Sequence, residues 1–578
     1  MSNHRFRFYL AILLSCLAIG LLILSIQPYG IFKGSFNSLM PDKDFKSLRE
    51  GNAIFFRAYI VLAGLGVAAV ALIMAGKWRI DWIRLREEIF SLWRALLPEK
   101  DEKRFTVALA GVTLWGAAMR LVYINGPVSH DEAYTATVFS PSYWYAITNY
   151  HAPNNHVLHT LLVHFSTAVF GFQTWTIRLP AFLAGILIIP AAYHLGKSIY
   201  DRYTGLFASI LIAWWPVQIA YSTNARGYSL VALLTLVVLW LGIVVSRERN
   251  FIGWVLIVLL SALGFYTIPV MLFPFGVLFV WLFMEKLVAE PSKGYASRGV
   301  FTRYWFFAGL STFGFTLVLY SPIFIYSGVG QFLFNGAPGP FVQAGAVILD
   351  NVRGMYSEWT GGVPDILLLL LGVGIVLSLV FHRKLSLLRI PIQVALVIWI
   401  GFVLIVLKPG AWSRIWFSLA ALFMVWASAG IVGMIKDIHM RRLRNISAAT
   451  LVIVCTGLAL IAAGVRLIPS LSHEWAQKGT DERMILFLKD KLTEQDIIIA
   501  PSPQDAPLWY YSRVYGISNR YFDRNKSFTR AFIITLPSEG QYRKSVIEEY
   551  GLTDVIDLQS LKLLQGFSGL NIYEVMHK

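Results

Sequence analysis

Long apolar runs recur along almost the whole of this 578-residue chain, and thirteen of them contain about 20 residues. A helix of about that length crosses roughly 30 Å of hydrocarbon. The composition agrees, since 56% of the residues are hydrophobic and only 14% are charged. In lipid, every backbone polar group must be paired within the protein. The pattern therefore predicts an α-helical polytopic membrane protein with about 13 transmembrane helices.

One further apolar run, 156–172, is shorter and contains three histidines, so we assign it to the membrane surface. The predicted spans are 7–26, 55–76, 104–124, 177–198, 204–222, 227–245, 251–268, 270–288, 304–326, 364–381, 391–408, 414–435 and 447–467.

The basic residues are distributed unevenly between the connectors of these spans. With the N-terminus inside, the inside connectors hold 25 Lys and Arg and the outside connectors hold eight. This asymmetry is the one expected from the positive-inside rule, and it would be lost if 156–172 also spanned the membrane. The net charge of +17 therefore follows from topology and does not indicate a nucleic-acid partner. We expect a multi-pass protein of the plasma (inner) membrane with a cytoplasmic N-terminus.

Composition divides the chain into three parts. Residues 1–103 hold two predicted spans and, from 77, a mixture of Trp, Ile, Leu and Phe with Arg and Lys at helical spacing, typical of an amphipathic helix on the inner leaflet. Residues 104–469 hold the other spans. After Pro469 charged residues return, and segments such as "DIIIAPS" alternate with helix-like stretches. We predict a small α/β extramembrane domain at 470–578, on the extracytoplasmic side.

The first long outside connector after the third span, 125–176, contains Asp131 and Glu132 but no Lys or Arg. It is rich in Trp, Tyr, His and Asn. An acidic pair near membrane depth is unfavourable without a reason. The two acids could begin a short helix and complement its dipole, or they could line a polar pocket at the lipid interface. The lack of neutralising cations in the connector favours the pocket.

The same topology places two arginines on this outer face. Arg226 lies in "YSTNARGYS", at a tight interruption between two spans, and Arg414 lies in "KPGAWSR". A cation facing a carboxylate loop indicates a phosphate partner. The alternative for both arginines is anchoring at the membrane interface. The Gly- and Pro-rich connector 327–363 has the length of a lid or a binding element.

The order of motifs in this region carries a family resemblance. The Asp-Glu loop is followed by "HAPNNHVLHTLL", "FGFQTWTIRLPAFLAG" and "AAYHLGKSIYDRYTGLFASILIAWWPVQIAYSTNARGYSL". Over 104–245 the chain resembles the core of the polyprenyl-phosphate-sugar-dependent glycosyltransferases of the GT-C fold, in particular the protein O-mannosyltransferase and lipid A aminoarabinose transferase group. The resemblance implies that 104–469 is a GT-C transmembrane catalytic domain. It also implies surface-lying helices in the first outer loop, in agreement with the assignment of 156–172.

The resemblance further implies an activity, the transfer of a monosaccharide from a polyprenyl-phosphate donor to an acceptor hydroxyl, with inversion. The acceptor is a lipid, a glycan or a protein. Asp131 matches the acid that acts as the base, and one carboxylate is enough because a phosphate leaves without a general acid. Glu132 has an accessory role, since adjacent side chains on a helix diverge by about 100°. Arg226, and less strongly Arg414, would bind the departing donor phosphate.

The remaining polar residues of the region have less specific signals. His151 and His156 lie where many relatives carry a His-Pro-Pro run, but Ala152 occupies the first Pro position here. We interpret both histidines as accessory residues that bond the donor phosphate or the acceptor, with polar packing as the alternative. Arg178 is interpreted as an interfacial anchor. Histidines and carboxylates are available for a divalent metal ion, but no spacing such as HExxH occurs, so the sequence requires no metal.

Two other classes of protein share part of this pattern. A polytopic transporter or lipid flippase would carry charged or broken helices near the midplane and usually repeated halves. Neither is evident in the sequence, where Arg120, close to the outer end of its span, is the main ionisable residue within a span. A non-catalytic scaffold that binds partners through 470–578 would leave Asp131 unexplained. The expected function is therefore a membrane glycosyltransferase, and the alternative is a transporter or flippase.

Overall fold

A computed structural model of the chain describes residues 3–37, 50–75, 82–97, 102–288, 295, 297–329, 344–361, 363–406, 413–442, 479–523 and 525–578. This part is mostly helical, with one small sheet near the C-terminus. Its α-helices are α1 (Asn3–Ile26), α2 (Tyr29–Asn37), α3 (Glu50–Ala75), α4 (Trp82–Leu96), α5 (Lys103–Tyr123), α6 (His130–Tyr134), α7 (Tyr143–Thr148), α8 (Val157–Phe170), α9 (Thr174–Ile199), α10 (Arg202–Trp214), α11 (Pro216–Ser222), α12 (Tyr228–Arg247), α13 (Phe251–Thr267), α14 (Leu272–Val288), α15 (Arg298–Tyr326), α16 (Ala344–Thr360), α17 (Asp365–Val380), α18 (His382–Leu385), α19 (Ile392–Val406), α20 (Phe417–Arg442), α21 (Thr480–Lys489), α22 (Asp505–Val514) and α23 (Arg543–Glu549). Its strands are β1 (Asp496–Ile499), β2 (Arg530–Thr535), β3 (Lys562–Phe567) and β4 (Leu570–Met576).

Most of the long helices coincide with the apolar runs of the sequence. Among the described residues, six helices are long and apolar enough to cross a membrane, and the number rises to eight if the bent pairs α10–α11 and α16–α17 each count as one span. Each predicted span up to 414–435 coincides with a helix or a bent pair, whereas the thirteenth, 447–467, lies outside the described residues. The predicted fold class is confirmed. The number of 13 spans stays a prediction.

Close approach between helices holds the bundle together. Its core is formed chiefly by residues of α9, α10, α12, α14 and α20. Where α17 crosses α20, a Cβ atom added at Gly430 would lie 1.9 Å from the carbonyl oxygen of Gly374. Lipid tails are as apolar as leucine side chains, so helices in a membrane associate largely through such small-residue packing. The bundle therefore depends on shape fit at positions where no side chain is tolerated.

A buried arginine stabilises the break between α10 and α11, which bends the chain by 65°. Pro216 begins α11, because a proline has no N–H with which to continue the preceding helix. The freed carbonyls of Ile212 and Ala213 accept hydrogen bonds from the Arg120 guanidinium at 3.3 and 3.1 Å. Arg120 is fully buried, and its N–H groups donate to carbonyls that water would hydrogen-bond at an exposed helix end.

The connector 125–176 folds into short elements over one end of the bundle. In it α6 is followed by a single π-helical turn over Thr135–Phe139 and then by α7 and α8. Helix α8 has 14 residues, so at 1.5 Å per residue it is about 21 Å long, less than the roughly 30 Å of hydrocarbon. It packs on α9 and α13. Its length fits the predicted position at the membrane surface.

The described C-terminal residues form a four-stranded sheet with the order β1-β2-β4-β3. Strands β1 and β2 are parallel, and the other pairs are antiparallel. Alternate residues point to opposite faces, so Ile497 and Ile533 pack toward α23, while Ile498 and Phe532 pack toward α21, α22 and the connector 125–176. The sheet confirms the small α/β region predicted at the C-terminus. The exact limits of the three predicted domains stay predictions.

The N-terminal helices lie against the rest of the bundle. Helices α1 and α3 pack along each other, with Phe32 and Phe56 in contact beside the end of α15. The amphipathic α4 packs on α13, where the Glu88 carboxylate accepts hydrogen bonds from the amides of Phe251 and Ile252 at 2.8 and 3.1 Å. This carboxylate pairs two of the amides that the first turn of α13 leaves free.

Candidate functional site

Asp131 lies in α6, a five-residue helix that begins after Ser129. The amide and the hydroxyl of Ser129 both donate to Oε2 of Glu132, at 3.0 and 3.1 Å, which closes the first turn of the helix. Glu132 is buried, whereas Asp131 is partly exposed. The two neighbouring acids therefore point in different directions, as their spacing on a helix predicts.

Glu132 forms a buried ion pair with Arg178 of α9. Nε and Nη2 of Arg178 lie 2.8 and 2.9 Å from the two carboxylate oxygens. Burial alone would raise the pKa of Glu132, but the guanidinium and the amides of Ser129 and Ala225 lower it overall. The interpretation of Arg178 as an interfacial anchor is wrong. Its side chain is only 3% exposed, and its remaining N–H groups donate to three carbonyls of the segment 124–127.

The same carboxylate also fixes the turn that carries Arg226. Oε1 of Glu132 accepts a hydrogen bond from the amide of Ala225 at 2.6 Å. Nη1 of Arg226 donates to the carbonyl of Asn154 at 2.8 Å and to the hydroxyl of Thr135 at 3.3 Å, and it also contacts Oδ1 of Asn154. The Arg226 side chain is 5% exposed. Contacts from the connector 125–176 therefore hold this guanidinium in one position.

Two arginines approach the same oxygen of Asp131. Arg414, in the 3-10 turn Ser413–Trp416 before α20, donates from Nη1 to Oδ2 at 2.7 Å. Nη2 of Arg226 lies 3.7 Å from that oxygen. Within the described part of the chain, Oδ1 of Asp131 has no hydrogen-bond partner. The structure thus brings together three residues that the sequence places 95 to 283 positions apart along the chain.

The two histidines lie in different surroundings. His156, which precedes α8, is buried, and its Nδ1 accepts a hydrogen bond from the Gly227 amide at 2.9 Å while Nε2 lies 3.1 Å from Nη2 of Arg226. Burial and the positive charge of Arg226 hold the pKa of His156 well below its usual range, so the ring is neutral. His151 is exposed, bonds the Tyr134 hydroxyl at 3.0 Å, and does not line the cavities that contain Asp131.

Asp131 lines two neighbouring cavities, of about 580 and about 340 Å³, here called the larger and the smaller chamber. Residues lining both are His130, Asp131, Arg226, Tyr228 and Arg414. Residues that line the larger chamber alone include Tyr134, Tyr150, His156, Ile268, Pro269, Val270 and Ile415. Residues that line the smaller chamber alone include Ser129, Tyr221, Asn224 and Glu358. The larger chamber thus has an apolar wall, and the smaller one is more polar.

The C-terminal sheet region contacts the segment that carries Asp131. Nδ1 of His130 lies 2.8 Å from the carbonyl oxygen of Pro503. The amide of Val128 donates to the Tyr511 hydroxyl of α22 at 3.0 Å, inside an apolar cluster shared by the connector and the sheet. Sequence reasoning placed the C-terminal region on this side of the membrane but identified none of these contacts.

Glu358 is a site residue that sequence reasoning missed. It lies near the end of α16, within the connector 327–363, and its carboxylate accepts hydrogen bonds from the hydroxyls of Tyr221 and Ser413. The available signal was an acid in a long outside connector. Its partners are neutral and lie 137 and 55 residues away, so no charge pattern marks them.

The sequence left open whether the protein binds a divalent metal ion. Among the described residues, no three His, Cys, Asp or Glu side chains come together in a way that could hold one. The two acids of α6 are ion-paired, Asp131 with Arg414 and Glu132 with Arg178.

Comparisons with known proteins show which fold this chain shares. Residues 153–326 match the family model described as Dolichyl-phosphate-mannose-protein mannosyltransferase. The crystal structure of ArnT from Cupriavidus metallidurans in the apo state matches with a TM-score of 0.53 at 12% identity, over 82% of this chain and 98% of that chain. The same protein bound to undecaprenyl phosphate matches with a TM-score of 0.52 at the same identity and coverage. No curated protein has a matching sequence. At this identity the likeness shows a shared fold.

Proposed function

We propose that this chain, which has the GT-C fold of the polyprenyl-phosphate-dependent glycosyltransferases, is an inverting enzyme that transfers a monosaccharide from a polyprenyl-phosphate donor to an acceptor hydroxyl. The observation that carries the proposal is the meeting of Asp131, Arg226 and Arg414 at one wall of the larger chamber. A base beside two cations suits a reaction that takes a proton from one substrate and leaves negative charge on the other.

The larger chamber suits the donor headgroup. Arg226 and Arg414 both line it, and guanidinium groups bind phosphate through paired, charge-assisted hydrogen bonds. Ile268, Pro269 and Val270 form an apolar wall of the same chamber, against which the first isoprene units would pack. A volume of about 580 Å³ lies within the range of small-molecule sites. The donor phosphate would share Arg414, the more exposed of the two arginines, with Asp131.

The proton transfer falls to Asp131. Its Oδ2 is held by Arg414, and its Oδ1 has no partner among the described residues, so Oδ1 accepts the proton of the acceptor hydroxyl. The acceptor oxygen forms a bond to the anomeric carbon while the bond from that carbon to the phosphate oxygen breaks. The electron pair leaves with the phosphate, where the two guanidinium groups stabilise the charge. Attack opposite the leaving group inverts the anomeric configuration.

Glu132 and His156 position Asp131 and Arg226. Glu132 bonds both Arg178 and the amide before Arg226, so it ties the Asp131 helix to the Arg226 turn. His156 is neutral and accepts a hydrogen bond from the Gly227 amide, which places its ring beside Arg226 without adding charge there. The preponderance of Lys and Arg in the predicted inside connectors supports an active site on the extracytoplasmic face of the plasma membrane.

The test is a transfer assay with purified protein. The wild-type chain and Asp131→Asn are incubated with a panel of polyprenyl-phosphate monosaccharides and a membrane extract, and glycosylated products are detected by mass spectrometry. We expect transfer by the wild type and a loss of at least about a hundredfold in Asp131→Asn, in the range of lost general-base catalysis. Affinity for undecaprenyl phosphate should be retained by the variant.

A matched control is Asp554→Asn, which changes an exposed acid of the C-terminal region. It should transfer like the wild type. Equal transfer by Asp131→Asn and the wild type would remove Asp131 from its proposed role. Movement of the intact donor between leaflets of a vesicle, without any covalent product, would instead favour the lipid flippase.

A further inference from the structure

Glu358 places a second carboxylate on the smaller chamber, which Asp131 also lines. Oε1 of Glu358 accepts a hydrogen bond from the Tyr221 hydroxyl, and Oε2 accepts one from the Ser413 hydroxyl. In the part of the chain that the structure describes, no cationic side chain is ion-paired with this carboxylate. An ionised carboxylate has about four lone-pair sites, so each oxygen can accept one more hydrogen bond.

The carboxylate is held in one position by three separate elements. Tyr221 belongs to α11, and Ser413 begins the turn before α20. The next residue along α16, Trp359, has its carbonyl bonded by Nε1 of Trp215 at 2.6 Å and its ring packed against Phe423 of α20. A side chain fixed in this way is preorganised for a ligand, because little freedom is lost when the ligand binds.

The chemistry of the chamber selects what Glu358 can bind. The hydroxyl protons of Tyr221 and Ser413 are already donated to Glu358, so this wall offers acceptors and few donors. Arg226 and Arg414 lie on the same chamber and are committed in the proposed reaction to phosphate and Asp131. A substrate group that complements the Glu358 wall must therefore donate hydrogen bonds, as a sugar hydroxyl or an ammonium group does.

We propose that Glu358 is a specificity-determining residue that accepts hydrogen bonds from a hydroxyl or ammonium group of the substrate in the smaller chamber. This inference rests on the proposed function, because it takes Asp131 as the place where the new bond forms. The donating group belongs either to the sugar of the donor or to the acceptor. Both sources present the same chemistry to the carboxylate.

The experiment compares wild type, Glu358→Gln and Tyr221→Phe in three measurements. These are binding of undecaprenyl phosphate without sugar, binding of a panel of undecaprenyl-phosphate monosaccharides, and the KM for acceptor in a membrane extract. We expect Glu358→Gln to bind the bare lipid phosphate like the wild type. If the group belongs to the donor sugar, affinity for the cognate glycosylated lipid falls by about tenfold or more; if it belongs to the acceptor, the KM rises by that factor instead.

Two controls separate a substrate contact from a structural role. Asp350→Asn changes an exposed acid on the same helix and should match the wild type in all three measurements. Tyr221→Phe removes one neutral hydrogen-bond partner of Glu358, so it should weaken the same substrate affinity as Glu358→Gln, to a smaller degree. Thermal unfolding should place Glu358→Gln close to the wild type.

The inference is overturned if Glu358→Gln leaves both the affinity for glycosylated lipid and the KM for acceptor unchanged. It is also overturned if affinity for the bare lipid phosphate falls in step with the other two values, because that is the result of a general distortion. Failure of the wild type to bind undecaprenyl phosphate or to transfer sugar is a separate result, which rejects the proposed function itself.

Discussion

Arg178 and Glu132 form a bidentate ion pair with distances of 2.8 and 2.9 Å, and Glu132 follows Asp131 directly in α6. All five N–H groups of the guanidinium are used, two on Glu132 and three on carbonyls of the segment 124–127. The carboxylate in turn bonds the Ala225 amide, next to Arg226. One buried pair therefore joins the elements that carry the base and one of its arginines.

We expect Arg178→Leu to lower the free energy of unfolding by about 3–5 kcal/mol, because it leaves Glu132 buried without its counter-charge. Arg178→Lys should also be destabilised, since an ammonium group cannot reproduce the two parallel bonds. Thermal unfolding in detergent measures both. Lys544→Ala removes one partner of an exposed pair with Glu548 and should change stability by less than about 1 kcal/mol. A neutral result for Arg178→Leu would show that the pair does not hold the site together.

A pH-dependent stability is expected from Asp481 of the C-terminal region. Its Oδ1 is buried without a hydrogen-bond partner among the described residues, and burial raises the pKa of Asp481 from its usual 3.8 to about 7. Below the pKa of the unfolded state, the carboxyl is protonated in both the folded and the unfolded protein, so it does not lower the stability of the fold. As the pH rises through the folded pKa, the buried carboxyl must ionise and stability is lost.

Asp481→Asn should therefore be more stable than the wild type above about pH 7, and the difference should close as the pH falls toward about 4. Midpoints of thermal unfolding measured across this range give the comparison. Asp554→Asn, an exposed acid of the same region, provides the reference. A constant difference between Asp481→Asn and the wild type at all pH values would contradict the prediction.

The contact between α17 and α20 predicts a position-specific effect of alanine. Gly430→Ala would put a Cβ atom 1.9 Å from the Gly374 carbonyl oxygen, and backbone cannot move aside as a side chain can. We expect a loss of about 1–3 kcal/mol in the free energy of unfolding. Gly372→Ala, also in α17, meets nothing within 4 Å and should be neutral or slightly stabilising. Equal stability of the two variants would show that the helices do not meet at these glycines.

Tyr511→Phe tests the contact between the sheet region and the Asp131 segment. The variant leaves the Val128 amide without its partner in a buried setting, which costs about 1–3 kcal/mol locally. We expect faster hydrogen exchange in peptides covering 125–135 and a lower rate of sugar transfer. Tyr542→Phe, at an exposed position, should change neither. Unchanged exchange at Val128 would mean that the sheet region does not order the segment.

The position of Asp131, Arg226 and Arg414 on one face could be predicted from the expected topology, whereas their contacts could not. Alternation of the predicted spans, together with the Lys and Arg asymmetry, assigns all three residues to one face, but Asp131 lies in the long connector 125–176, so topology does not fix its contacts. The roles of Arg178 and Glu358 could not be predicted in this way. Arg178 follows a connector without cations and reads as an interfacial residue, but its partner lies 46 residues earlier and inside the protein.

The connector 327–363 shows another limit of sequence reasoning. Its Gly and Pro residues indicate a loop, but the residues from Ala344 to Thr360 form a helix that carries Glu358. Contacts between the connector 125–176 and the sheet could not be predicted either, because more than 300 residues separate Val128 from Tyr511. The apolar residues of each segment do not indicate that the two segments pack together. Pairings of this kind depend on tertiary packing, which no local periodicity encodes.

The hydrogen bond from Val128 to Tyr511 also has a consequence for biosynthesis. A ribosome must add 383 further residues after Val128 before Tyr511 is present and that amide can find its partner. Nascent chains that stop short of Tyr511 would insert their helices normally and yet present an incompletely ordered Asp131 segment. Completion of the polypeptide thereby becomes a condition for assembling the site.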